Sequence, residues 1–258
     1  MKATPVLLVA VLSFATSTSS AQKRDVRITT RDGATIAATY FSSGKTGPGI
    51  ILFHQCSLDR HSWDALGLQL AEAGYNVLAY DEPGFGESQG GPVKDFDTME
   101  ATEKYWREKW SGAMEAVYQH LVSTPGVNKN EIGAAGASCG VYMSLLLAQA
   151  HPEQIKTLVL LSGPVDSAGI AFVAGSNSLP IFGSASEEDN DYFAWVKGIV
   201  AASKNPESKF IAYKDAGHGT KMFQPEPELP GLIVGWFETH LPVRNAVPIQ
   251  QPRQTGKQ

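Results

Sequence analysis

The hydrophobic runs along the chain are of two kinds, one at the start and the other over the rest of the chain. The first two apolar runs, residues 26–30 and 35–41, flank an Asp32-Gly33 turn signal and predict an antiparallel β-hairpin. The later runs are apolar at successive positions, which is typical of strands buried on both faces of a parallel sheet. These six later runs cover residues 50–53, 77–80, 132–135, 158–161, 181–182 and 210–213.

Stretches with helical spacing separate these runs. They lie within residues 63–70, 97–121, 141–150, 191–202 and 229–240. Strands and helices in repeated alternation predict an α/β fold, with a doubly wound and mostly parallel eight-stranded sheet that carries helices on both faces. No long repeat or mid-chain linker interrupts the pattern, so residues 22–241 are predicted to form one domain.

The two ends of the chain differ from this pattern. A basic N-terminus, an apolar stretch at residues 5–12 and a Ser/Thr-rich segment ending in Ala21 predict an export signal at residues 1–21. Cleavage after Ala21 would release the mature protein into the periplasm or the medium. The apolar stretch is too short to cross a ~30 Å bilayer, although an uncleaved anchor is the alternative. Residues 242–258, rich in Pro and Gln, are predicted to be a flexible tail.

Composition excludes several protein classes. The chain has 258 residues, 43% of them hydrophobic and 18% charged, and this composition supports a folded core rather than a disordered chain. The net charge of −5 becomes more negative when the basic signal is removed, which argues against a nucleic-acid partner. No later stretch is long and apolar enough to predict a membrane anchor after signal cleavage. Metal-ligand spacing is absent, so neither a metal nor a cofactor is predicted, and the pattern makes no prediction about oligomeric state.

A nucleophile candidate stands out at residues 131–141, which read E-I-G-A-A-G-A-S-C-G-V. An apolar strand runs into G-x-S-x-G and directly on into a helix, and this context is typical of a nucleophile elbow. The sharp turn exposes the hydroxyl of Ser138, while Gly136 and Gly140 leave room for strand and helix to approach each other. A plain glycine-rich turn is the alternative. The pattern predicts that Ser138 is a catalytic nucleophile.

A serine nucleophile needs a base and an acid, which follow it along the chain in this type of site. His218 lies between two glycines just beyond the last predicted strand, and we interpret it as the base. The acid is expected after the preceding strand, where Glu187, Glu188 and Asp189 are adjacent. Asp189 is favoured because it lies deepest in the loop and directly before a helix. Asp166 is the other possible location, and a helix cap or a solvated charge is the alternative for each carboxylate.

Several segments in one order resemble the alpha/beta-hydrolase superfamily. Residues 51–56 are similar to that family's strand ending in His-Gly-x, and residues 81–88 match its D-x-x-G-x-G-x-S turn. The resemblance implies that one oxyanion donor is the amide of Cys139, and that the second is the amide of Cys56 or of its neighbour Gln55. Gln55 stands where the family usually has Gly, and Gly alone adopts positive φ without steric cost.

The resemblance also bears on the architecture. Only about fifteen residues separate Gly163 from Leu179, where many relatives insert a helical cap. A compact site without a large cap is therefore expected, similar in architecture to the dienelactone-hydrolase-like branch. The aromatic side chains of Tyr105, Trp106 and Trp110 have helical spacing, and either they pack into the body of the protein or they line a pocket.

The predicted function is that of an exported serine hydrolase acting on a carboxylic ester or related acyl bond of a small molecule. A non-catalytic binding protein on the same fold is the alternative from another class, and an amidase, peptidase or lactonase is the enzymatic alternative. If Cys56 and Cys139 both donate to one oxyanion, their backbones must be neighbours. An exported chain meets an oxidising compartment, so a Cys56–Cys139 disulfide is predicted, against the alternative of two small buried side chains.

Overall fold

The computed structural model describes residues 21–90 and 97–249. The predicted export signal, apart from Ala21, and the last part of the predicted tail lie outside the described residues. The strands are β1 (Gln22–Thr29), β2 (Thr35–Ser42), β3 (Gly47–Phe53), β4 (Asn76–Tyr80), β5 (Val127–Ala137), β6 (Ile155–Leu161), β7 (Ile181–Ser186) and β8 (Lys209–Tyr213). The α-helices are α1 (Asp64–Glu72), α2 (Met99–Lys109), α3 (Ser111–Ser123), α4 (Cys139–Ala150), α5 (Ser167–Gly175), α6 (Asn190–Ala202) and α7 (Leu229–His240).

These strands form one eight-stranded sheet in the order β1-β2-β4-β3-β5-β6-β7-β8. Strand β2 runs antiparallel to both of its neighbours, whereas the strands from β4 across to β8 pair in parallel. The mostly parallel α/β fold predicted from the hydrophobic runs is therefore confirmed. Because parallel strands end at one edge of the sheet, the loops after β3, β5, β7 and β8 lie on the same side of the molecule.

Each central strand is buried on both faces. Along β3, Ile51 and Phe53 belong to a core shared with α2, α3, α4 and α6, while Ile50 and Leu52 belong to a second core shared with α1 and α7. Successive side chains of a strand point to opposite faces, so an uninterrupted apolar run serves both cores. This explains why the runs in the sequence lack a polar alternate position.

Two helical segments differ from the sequence prediction. The helix predicted over residues 97–121 is two helices, α2 and α3, which meet at Trp110. Helix α5 was not predicted, because its sequence SAGIAFVAG has no charged residue to mark a polar face. Helix α5 is the only helix between β6 and β7 in the described part of the chain, and no large cap covers the sheet edge there.

The first part of the predicted tail packs against the body of the protein. The amide of Thr46 donates to the carbonyl of Val247 at 2.7 Å, and the amide of Ile249 donates to the carbonyl of Gly44 at 2.8 Å. The prediction of a flexible tail is therefore corrected for residues 242–249. Within the described ranges, every helix is too short or too polar to span a membrane.

Candidate active site

Ser138 occupies a strained turn between β5 and α4. Its backbone has φ 52° and ψ −125°, a conformation that is costly for a residue with a side chain. Hydrogen bonds over-determine the turn, because the amide of Ser138 donates to the carbonyl of Leu161 at 2.9 Å and the amide of Val141 donates to the carbonyl of Ser138 at 2.8 Å. The geometry is that of a nucleophile elbow.

The glycines of the G-x-S-x-G segment are required by close approach. A β-carbon added at Gly136 would overlap the carbonyl of Gly140, and one added at Gly140 would overlap the carbonyl of Phe53 at the end of β3. The elbow therefore presses directly against the start of the loop after β3. Ser138 itself is half-buried.

His218 and Asp189 form the second part of the site. The Nδ1 atom of His218 lies 2.9 Å and 2.8 Å from the two carboxylate oxygens of Asp189. A carboxylate accepts hydrogen bonds, so Nδ1 carries the proton of the neutral ring and Nε2 is left as a lone-pair acceptor. Asp189 is 12% exposed and His218 is 27% exposed, which shields the pair while leaving the ring accessible.

The loop that carries His218 is tied to the end of β7 by Glu188. The carboxylate of Glu188 accepts from the amides of Asp215 at 2.9 Å and Gly217 at 2.8 Å, and the hydroxyl of Ser186 also donates to it. These hydrogen bonds lower the pKa of Glu188 to about 2. The sequence indicates Glu188 only as an acid candidate, whereas in the structure its carboxylate holds the histidine loop.

The remaining acid candidates have other partners. Glu187 is exposed and lies 3.6 Å from Lys214. Asp166 caps α5 by accepting from the amide of Gly169 at 2.6 Å, and it also pairs with Arg107 at 2.8 Å. Of the four carboxylates that the sequence left open, Asp189 is the one in contact with the imidazole of His218.

A disulfide joins Cys56 to Cys139, with the two Cα atoms 5.8 Å apart. Cys139 is the residue directly after Ser138, and Cys56 lies in the loop after β3. The bond therefore fixes the two segments whose amides the resemblance assigns to the oxyanion hole. The loop and the elbow are brought together across 83 positions of sequence.

His54 holds the peptide group between Gln55 and Cys56. Its Nε2 accepts from the amide of Glu82 at 3.0 Å, so its Nδ1 carries the ring proton and donates to the carbonyl of Gln55 at 2.8 Å. The ring is fully buried, and burial lowers the pKa of His54. Since the carbonyl of Gln55 and the amide of Cys56 belong to one planar peptide, His54 sets the direction of that amide.

Gln55 does not adopt a positive φ, so the loop after β3 needs no glycine at that position. Its buried side chain points away from solvent, and Oε1 accepts from both the amide and the hydroxyl of Thr220 at 3.0 Å. The family resemblance points to the backbone amide of Gln55 as an oxyanion donor and gives no indication of this side-chain contact.

A buried acid lies beside this loop. Glu82 is fully buried, and its Oε1 accepts from the hydroxyl of Tyr80 at 2.6 Å. Burial raises the pKa of Glu82 to about 8, so the side chain is mainly protonated at neutral pH. Within the described residues, Oε2 of Glu82 has no hydrogen-bond partner.

The two tryptophans of the predicted aromatic helix pack into the body of the protein rather than lining a pocket. The rings of Trp106 and Trp110 stack with their centroids 5.4 Å apart. The ring of Trp106 also contacts that of Tyr142 in α4, with a centroid distance of 5.6 Å. Trp110 contacts Phe85 at 5.8 Å, and Phe85 in turn contacts His54 at 5.1 Å. The aromatic cluster therefore supports the elbow helix and the loop after β3 from one side.

Known proteins share this fold. The family model described as the alpha/beta hydrolase fold matches residues 48–185. A polyketide transferase from a Penicillium species is 26% identical over 155 residues, which are 58% of this chain and 48% of that protein. An esterase structure from Pyrococcus furiosus is similar with a TM-score of 0.64 and 17% identity, covering 90% of this chain and 96% of that one.

A dienelactone hydrolase structure from Anabaena variabilis is similar with a TM-score of 0.62 and 17% identity, covering 86% of this chain and 99% of that one. The solved structures thus match almost end to end, and at these identities they establish the fold. The chain spans about half or less of the length of the curated relatives it matches.

Proposed function

Because the chain belongs to the alpha/beta-hydrolase fold family, we propose that it is an exported serine hydrolase that cleaves a carboxylic ester or related acyl bond of a small molecule. The observation that carries the proposal is the contact of His218 Nδ1 with both carboxylate oxygens of Asp189, at 2.9 Å and 2.8 Å. This contact occurs at the same sheet edge as the strained Ser138.

In the first half of the reaction, Ser138 Oγ attacks the acyl carbon and its proton passes to His218 Nε2. Asp189 keeps the other ring nitrogen protonated and stabilises the imidazolium. The carbonyl oxygen becomes an oxyanion, which the amides of Cys139 and Cys56 stabilise as hydrogen-bond donors. Collapse breaks the ester bond, and the alcohol leaves with the proton from His218. The acyl group remains on Ser138.

In the second half, water replaces the alcohol. His218 Nε2 takes a proton from the water as it attacks the acyl-enzyme, and the same oxyanion site holds the second tetrahedral intermediate. Collapse returns the proton to Ser138 and releases the carboxylic acid. Every proton is accounted for by Ser138, His218 and water, so these residues carry the chemistry without a further reactant.

Two features support export. The first is the N-terminal pattern of residues 1–21, which is typical of a cleavable signal. The second is the Cys56–Cys139 disulfide, a bond that persists in oxidising compartments. A protein of the same fold from Pyrococcus furiosus is an esterase, and the proposal extends the ester class from it to this chain.

Hydrolysis of p-nitrophenyl esters of increasing acyl length tests the proposal, with an anilide and a lactone as parallel substrates. Ser138→Ala should leave only the ~10³ to 10⁴ acceleration over water that binding and the oxyanion site provide. Ser144→Ala, the same substitution on buried Ser144 in α4, is the matched control and should retain activity. A wild-type protein that cleaves none of these substrates would favour the binding-protein alternative, and cleavage of the anilide or lactone alone would move the substrate class.

A further inference from the structure

The side chain of Gln55 forms hydrogen bonds to both the loop after β3 and the loop that carries His218. Its Oε1 accepts from the amide and the hydroxyl of Thr220, each at 3.0 Å, and its Nε2 donates to the hydroxyl of Ser57 at 2.9 Å. The amide of Thr220 can only donate, so the atom that faces it must be the oxygen of Gln55. Both Gln55 and Thr220 are buried, at 0% and 6% exposure. Hydrogen bonds in such a site are costly to lose, because the partner would be left buried and unsatisfied.

The fit between the two loops is close. Gly219 lies between His218 and Thr220 with φ +60°, and a β-carbon added there would lie 2.5 Å from Oε1 of Gln55 and 3.3 Å from the β-carbon of Ala137. The backbone that follows His218 therefore lies close to both the side chain of Gln55 and Ala137, the residue before Ser138. Any residue other than glycine at position 219 would displace Gln55 or Ala137.

The two flanks of His218 are held by different side chains. Glu188 and Ser186 accept hydrogen bonds from the amides of residues 215–217, and these bonds fix the chain before the histidine. Gln55 accepts a hydrogen bond from the amide of Thr220, and this bond fixes the chain after the histidine. Glycine on each side of His218 gives this segment more backbone freedom than other residues would, so the tethers determine where the ring sits.

We propose that Gln55 is a positioning residue for catalysis, which sets the catalytic histidine loop in register with the oxyanion loop. The inference rests on the proposed function for its catalytic consequence. The peptide after Gln55 supplies the Cys56 amide, and the residue two positions before Thr220 is His218, so one side chain couples proton transfer to oxyanion binding. A small displacement of either group away from reactive geometry reduces the chemical rate without weakening substrate binding.

The test compares Gln55→Leu with Thr157→Val. Gln55→Leu keeps the approximate size and removes all three hydrogen bonds. Thr157→Val is the matched control, because the hydroxyl of buried Thr157 accepts from Trp236 Nε1 at 2.7 Å, away from the site near the other end of β6. Gln55→Leu should lower kcat about 10- to 100-fold, the scale on which misplaced reactive groups act, with KM nearly unchanged. Thr157→Val should lower thermal stability and leave kcat near the wild-type value.

Three further single variants and one double variant separate a positioning role from a general loss of stability. Gln55→Glu keeps an acceptor for Thr220 and should recover much of the kcat that Gln55→Leu loses. Thr220→Val removes only one hydrogen bond, and Thr220→Ser restores it. The losses in kcat of Gln55→Leu and Thr220→Val should be less than additive in the double variant, because the two residues act through one contact. If Gln55→Leu fails to fold, the Thr220 pair carries the same comparison.

Hydrogen exchange of the peptide spanning residues 215–223 gives a readout that does not need activity. Gln55→Leu should accelerate exchange there, whereas Thr157→Val should not. Unchanged exchange together with unchanged kcat would overturn the positioning role while leaving the hydrolase proposal intact. If Gln55→Leu exchanges faster but the wild-type protein hydrolyses no substrate, the proposed function is overturned, and the catalytic role of Gln55 is overturned with it. A loss of kcat in Thr157→Val equal to that in Gln55→Leu would also overturn the proposal.

Discussion

The imidazole of His218 lies against Asp189, with Nδ1 no more than 2.9 Å from either carboxylate oxygen. This contact fixes the ring tautomer and leaves Nε2 free to accept a proton. It also separates Asp189 from the three other acid candidates, which pair with a lysine, with backbone amides or with Arg107.

The acid assignment predicts unequal effects of equivalent substitutions. Asp189→Asn should lower turnover by about 10⁴-fold, because the amide favours the wrong ring tautomer of His218. Glu187→Gln and Asp166→Asn are matched controls that remove one charge each and should leave turnover near wild type. Steady-state kinetics on one ester decides the matter. Full activity in Asp189→Asn with a large loss in either control would reassign the acid.

The disulfide predicts a loss of both stability and rate when it is removed. The double variant Cys56→Ser, Cys139→Ser should be destabilised by up to ~4 kcal/mol, as expected for closing a long loop. Its activity should also fall under conditions in which it is fully folded, because the two oxyanion segments are no longer tied. Denaturant unfolding and kinetics measure the two effects, and mass spectrometry of unreduced, alkylated wild-type protein reports the bond. Two alkylated thiols in protein from its native compartment would contradict the account.

The buried carboxyl of Glu82 predicts a pH-dependent effect on stability. The pKa of Glu82 is raised to about 8 in the folded protein, so the unfolded chain ionises first as pH rises and the folded state loses stability between about pH 4.5 and pH 8. Glu82→Gln removes this penalty while keeping an acceptor for Tyr80. The variant should gain stability over wild type across that interval, by a few kcal/mol, and the difference should be constant above it.

Urea unfolding of both proteins at several pH values measures this difference. Glu131→Gln provides the matched control, since Glu131 lies partly exposed at the amino end of the apolar part of β5. A constant difference between Glu82→Gln and wild type from pH 5 to pH 9 would show that Glu82 is ionised in the folded protein, contrary to the prediction.

Local patterns predicted most of the fold. The uninterrupted apolar runs identified the strands of the parallel sheet, since burial on both faces leaves no polar alternate position. Helix α5 escaped because periodicity needs polar residues to mark a face, and residues 167–175 contain none with a charge. The boundary between α2 and α3 at Trp110 was also not predictable, because no proline lies there and helical hydrogen bonds occur on both sides of it, from the amide of Trp110 to Trp106 and from the amide of Met114 to Trp110.

The contacts of the candidate site were predictable only as far as the residues lie in recognisable segments. The turn around Ser138 follows from two glycines at fixed spacing, and both are required by backbone contacts. The hydrogen bond between Gln55 and Thr220 was not predictable, because the two residues lie 165 positions apart and neither belongs to a local pattern. The same reason applies to Glu188, whose carboxylate binds amides in a loop 27 and 29 positions further along the chain.

The proposed hydrolase function depends on Ser138 acting as a nucleophile that His218 activates. The most direct measurement is labelling of the purified protein with a fluorophosphonate, followed by peptide mapping. We expect one labelled site, on Ser138, with no label in Ser138→Ala and unchanged labelling in Ser144→Ala. A folded wild-type protein that takes no label, or that carries its label on another residue, would contradict this role of Ser138.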